Sequence, residues 1–89
     1  MKIKVKPMYG NSNRSIPNQY KIITPKGVYF QSYNSIIAYK PYHGKIELDE
    51  YYWDYSRTTG KYRNMFLNEF IGETREKIKS GKYKLTNLN

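Results

Sequence analysis

Four carboxylates stand close together in the chain: Glu47, Asp49, Glu50 and Asp54. Converging carboxylates can hold a pair of metal ions about 4 Å apart, the arrangement that cleaves phosphodiesters. Glu47 and Asp49 are two residues apart, so on a strand they share a face. No histidine or ordered motif accompanies them. The plainer expectation is that they balance the basic surface or bond to Arg57 and Arg63. His43 is the one histidine, and it lies in Pro41-Tyr42-His43-Gly44, a turn by composition. A general base needs a nucleophile or an orienting carboxylate beside it, and no Ser or Asp signal stands there. A single histidine builds no multi-histidine metal site. The chain has no cysteine, which removes disulfides, thiolate zinc sites and cysteine nucleophiles together. The expectation is a non-enzyme with no catalytic residues, no metal ligands and no cofactor.

The denser chemistry is cationic and aromatic. Tyr55-Ser56-Arg57-Thr58-Thr59-Gly60-Lys61-Tyr62-Arg63 sets three hydroxyls and three cations at a predicted helix start. Helix N-termini attract anions through their free N–H groups. A phosphate backbone is one candidate anion, and a carboxylate of residues 47–54 is the internal alternative. Gly60-Lys61 is not a P-loop, because the Gly-rich run and the following Ser/Thr are missing. Gly27-Val28-Tyr29 matches only the first half of the GIY-YIG nuclease motif, and the second half is missing. The 11 tyrosines cannot all fit in the core of an 89-residue chain. Some must stand at the surface beside Lys and Arg, where they can stack bases or anchor a protein interface. The candidate nucleic-acid or partner-binding residues are Arg57, Lys61, Arg63, Tyr55, Tyr52 and Trp53.

Charge points the same way. Sixteen Lys and Arg against 7 acids give a net charge of +9, and residues 1–46 contain no acid at all. Such a field recruits polyanions and steers their approach. It disfavours mimicry of DNA, which needs negative charge. The length allows one domain, 1–89, with a thin core. No apolar run approaches the roughly 20 residues of a membrane span. Met1-Lys2-Ile3-Lys4-Val5-Lys6 alternates instead of forming a signal-peptide block, so the expected location is the cytoplasm.

Short elements must position these residues. Residues 2–6 alternate as a half-buried strand, with Ile3 and Val5 inward. Residues 10–18 read as a loop, the most mobile segment of the chain. Residues 20–24 and 28–33 form a hairpin across the Thr24-Pro25-Lys26-Gly27 turn. Residues 36–40 and 45–49 form another, with Ile46 and Leu48 inward and Glu47 and Asp49 outward. A helix is predicted from Gly60 to Phe70, with Tyr62, Phe66 and Phe70 on its apolar face and Gly72 as its stop. Ser56, Thr58 and Thr59 are its cap candidates. A second short helix covers residues 73–79 and ends at Gly81. Residues 83–89 are an extended tail or a last edge strand, with Tyr83 and Leu85 inward. The fold class is α+β: about five antiparallel strands with a C-terminal pair of short helices on one face.

One segment also resembles a known group. Tyr55-Ser56-Arg57-Thr58-Thr59-Xaa-Lys61-Tyr62-Arg63-Xaa-Xaa-Phe66-Leu67 is similar to a Tyr-Ser-Xaa-Thr-Thr…Phe-Leu pattern. That pattern recurs in small uncharacterised proteins of phages and mobile elements of low-GC Gram-positive bacteria. There it follows a segment like Ser32-Tyr33-Asn34-Ser35-Ile36-Ile37-Ala38. A helix and a tail like Gly81-Lys82-Tyr83-Lys84-Leu85-Thr86-Asn87-Leu88 come after it. The resemblance covers roughly residues 32–88. It implies a small accessory phage protein in a bacterial host cell. Such proteins bind and block host machinery, including CRISPR and other defence complexes, or bind DNA directly. The expected partner is nucleic acid or a host nucleoprotein complex. The alternative is a protein-directed inhibitor of host defence, such as an anti-CRISPR protein.

Overall fold

Pro and Gly punctuate the first half of the chain into hairpins, and the computed structural model, which describes residues 2–10 and 12–89, follows that punctuation. Five strands succeed one another: β1 (Lys4–Tyr9), β2 (Ser15–Ile23), β3 (Gly27–Ser32), β4 (Ser35–Pro41) and β5 (Glu47–Asp49). Each pairs antiparallel with the next. Two helices follow, α1 (Arg57–Leu67) and α2 (Ile71–Lys79), and β6 (Lys84–Thr86) completes the sheet in the order β1 to β6. β6 runs parallel to β5, because the helix pair supplies the long crossover that parallel neighbours require. The fold is α+β as expected, with a sixth strand that makes the sheet mixed. Among the described residues no helix is long and apolar enough to cross a membrane.

The core lies between the sheet and α1, which packs on β3 and β4. Phe30 stacks on Phe66 with ring centroids 5.6 Å apart. Ile37, Ala38, Leu48 and Leu67 surround them, with Met8 and Tyr83 also buried. The β3–β4 register shifts between Phe30 and Gln31. The extra residue is Ile37, and this bulge lets Ile37 and Ala38 both enter the core. Gly27 opens β3 where a Cβ would lie only 2.4 Å from the Lys40 carbonyl oxygen, so the close approach of β3 to β4 requires glycine.

Several expected boundaries and faces change. Ser56 is the cap used, its Oγ accepting from the Thr59 N–H at 3.1 Å, and α1 therefore starts at Arg57 instead of Gly60. It stops at Leu67, because Asn68 takes the left-handed conformation (φ 55°) expected of Gly72. Phe70 thus leaves the core face and stands 78% exposed at the start of α2. Gly72 lies inside α2. β2 begins at Ser15, so the second half of the expected loop is strand; Asn18 turns left-handed (φ 64°) where the β1–β2 register jumps. Asn11, in the first half of that loop, lies outside the described residues. Ile3 and Val5 are exposed, not inward, because β1 is an edge strand and Val5 lies on the sheet face turned away from the helices. Leu85 is likewise 40% exposed on the opposite edge strand. Asp49, expected outward, is 1% exposed.

Candidate functional site

The acidic segment does structural work. Asp49 accepts from the backbone N–H groups of Tyr51 (3.0 Å), Tyr52 (2.8 Å) and Leu88 (2.8 Å) and from Asn89 Nδ2 (2.9 Å). Burial pushes its carboxyl pKa up, but these bonds outweigh burial and hold it below the ordinary value. Asp54 Oδ1 accepts from Arg63 Nη1 at 3.0 Å, and Asp54 Oδ2 lies 3.8 Å from Arg75. Among the described residues no three His, Cys, Asp or Glu side chains are grouped to hold a metal ion.

The six sequence-derived residues separate into three environments. Arg63 is 1% exposed. Its Nη1 also donates to the Trp53 carbonyl at 2.7 Å and its Nη2 to Asn64 Oδ1 at 3.1 Å, with the guanidinium 5.3 Å from the Trp53 ring. Of the two anions considered for Arg63, the internal carboxylate, Asp54, is the one it pairs with. Tyr52 and Trp53 are half-buried, and Tyr52 meets Tyr51 and the exposed Tyr55 edge-to-face at 4.8 and 5.4 Å. Arg57 and Lys61 do come together. They line a groove of about 920 Å³ between α1 and α2, with Met65 and Phe70, and form no ion pair among the described residues.

A second set of cations escaped the sequence reading. Cross-strand pairing places Lys6 directly opposite Lys21, and the same row continues through Phe30, Ala38 and Leu48 into the core. The next row sets Lys4, Ile23, Val28 and Lys40 in register. The helix-covered face thus becomes a lysine face where β1 and β2 extend beyond α1. Lys40 is half-buried, its Nζ 4.5 Å from the centre of the Phe66 ring. Burial lowers its pKa, the charge of Lys21 lowers it further, and Glu69 partly offsets both. Lys4, Lys6 and Lys21 are exposed and form no ion pair among the described residues. The signal for this face was the alternation in residues 2–6, where lysine and aliphatic residues must point to opposite sides.

Among the described residues no helix packs on the other face of the sheet, since α1 meets β3 and β4 on the Phe30 side. Val5, Ile22, Tyr29, Tyr39, Glu47 and Lys84 form one continuous row across all six strands. Tyr29 and Tyr39 stack with ring centroids 4.2 Å apart. Burial raises the pKa of the Tyr39 hydroxyl, as do Tyr29, Glu47 and Tyr42. Stacked tyrosines on an open sheet next to cationic turns offer flat apolar surface and phosphate contacts together.

Fold and surface define a small α+β domain with a helix layer on one side of a mixed sheet and a bare aromatic face on the other. Residues 3–84 match a family of unknown function, DUF8033, and the chain belongs to that family. The match takes in β1 and β2, and with them the lysine face. Comparison with curated proteins yields no match, and comparison with solved structures yields none.

Proposed function

We propose that this protein is a non-enzymatic accessory protein of a phage or mobile element that binds nucleic acid in the bacterial cytoplasm, holding phosphates on its lysine face. The observation that carries the reading is the Lys6–Lys21 pair. Like charges directly opposite on neighbouring strands destabilise a sheet. With no acid in residues 1–46 to neutralise them, an anionic ligand offsets that cost. The phage context rests on the resemblance of residues 32–88. Lys21→Glu tests the reading by separating stability from binding. It turns the like pair into an opposite one, so the protein should gain about 0.5 kcal/mol in urea unfolding while losing affinity for duplex and single-stranded DNA. Unchanged affinity would remove the lysine face from function.

The groove between α1 and α2 favours a second reading, a protein-directed inhibitor of host defence. Phe70 is 78% exposed there and Met65 42%, in a lining that mixes Arg57 and Lys61 with Asp54, Glu69 and Glu73, a composition suited to a partner with an apolar anchor and charges of both signs around it. In that case Phe70→Ala should weaken the complex by about 2 kcal/mol or more, and Lys21→Glu should leave it intact.

A further inference from the structure

The bare face ends in a concavity between two turns. Its volume is about 490 Å³, within the range of small-ligand sites. The Tyr42 N–H donates to the Lys26 carbonyl at 3.0 Å and ties the 24–27 turn to the 41–44 turn. Gly44 (φ 116°) supplies the second turn's left-handed residue. Tyr39 lines the floor, its ring already fixed by the stack on Tyr29. Tyr42 is 56% exposed and lines it too, and Lys26, His43, Lys45 and Glu47 supply the remaining polar groups beside two prolines and Gly44. Two aromatic rings, two ammonium groups and one carboxylate match the parts of a nucleotide. Bases stack on aromatic faces, phosphates pair with lysine, and an exocyclic amine donates to a carboxylate.

We infer that this concavity takes one unpaired nucleotide, its base against Tyr39 and Tyr42, its amino edge toward Glu47 and its phosphates at Lys26 and Lys45. The inference rests on the nucleic-acid reading above and deepens it: a base inside a duplex is already stacked and paired, so the ligand is single-stranded or carries an extruded or terminal base. Lys4 and Lys40 occupy the row next to the turn that holds Lys26, on the opposite face of the sheet, so a strand leaving the pocket reaches them by passing over that end of the sheet.

The test compares a labelled oligodeoxyadenylate with an abasic phosphodiester strand of the same length. The base-bearing strand should bind about tenfold more tightly, the gain expected from aromatic stacking of a base. Tyr42→Ala should abolish that preference and leave the salt dependence of binding unchanged, and Tyr42→Phe should retain the preference. Lys21→Gln should weaken both strands equally and preserve it. Equal binding of the two strands by the wild type, or a preference that survives Tyr42→Ala, would overturn the pocket while leaving the lysine face standing. Binding of neither strand would overturn both.

Discussion

Arg63 and Lys21 carry the same charge, and burial gives them opposite work. Arg63 is enclosed by the Trp53 carbonyl, Asp54 and Asn64. Arg63→Ala should cost roughly 3 kcal/mol in urea unfolding, from lost packing and a carbonyl left without its charged donor. The salt dependence of nucleic-acid binding should not change. Sequence could name Asp54 as one partner for Arg63 but could not choose between it and a phosphate, because depth of burial is set by the fold. Glu69 shows how a second buried charge responds to pH. Burial pushes its carboxyl up, but donation from Lys77 (2.7 Å), Thr74 (2.6 Å) and Tyr83 (2.6 Å) holds its pKa below the ordinary 4.5. Such a group contributes stability that is complete above its unfolded pKa and lost as pH falls through the folded one. Tyr83 is the reverse. Burial first, then Glu69, pushes its hydroxyl up to about 12, so its contribution is complete below the ordinary 10.0 and lost as pH rises between those values. The urea midpoint should therefore be level from about pH 5 to about pH 9 and fall on both sides. Glu69→Gln should shrink both limbs, and a variant with both limbs intact would contradict these assignments.

At the scale of elements, α1 offers the clearest check on where sequence reading succeeds. Ser56→Ala should cost about 1 kcal/mol by removing the cap. Phe66→Ala should cost roughly 3–5 kcal/mol as a buried ring in contact with Phe30, and Phe70→Ala less than about 0.5 kcal/mol as an exposed one. Equal losses at Phe66 and Phe70 would mean that the helix continues past Asn68. The period of the apolar face made Tyr62, Phe66 and Phe70 equivalent. Only the left-handed turn at Asn68 separates them, and asparagine signals that conformation less clearly than glycine does. The hairpin turns were legible because Pro25 and Pro41 restrict the backbone and Gly44 frees it locally. The faces of β1 were not. Alternation shows that lysine and aliphatic residues separate, but the face on which the helices pack decides which side is covered, and those helices come some fifty residues later. For the same reason the parallel entry of β6 left no local trace.

The whole molecule is a slab of about 35 × 32 × 20 Å, so its two broad faces dominate what a partner meets. One carries lysines at the β1–β2 end, and the other carries the tyrosine row. The net charge of +9 was legible from composition, and it pointed to polyanions. Its placement was not: sequence favoured the cations around the start of α1, whereas strand pairing gathers Lys4, Lys6, Lys21 and Lys40 from three strands. The measurement that tests this account most directly is the affinity for a labelled DNA strand across a salt series, for the wild type and Lys21→Gln. Log affinity should fall linearly with log salt, and the variant's slope should be smaller by about one unit, the loss of one phosphate contact. No binding by the wild type at about 50 mM salt, or a slope that Lys21→Gln leaves unchanged, would contradict it.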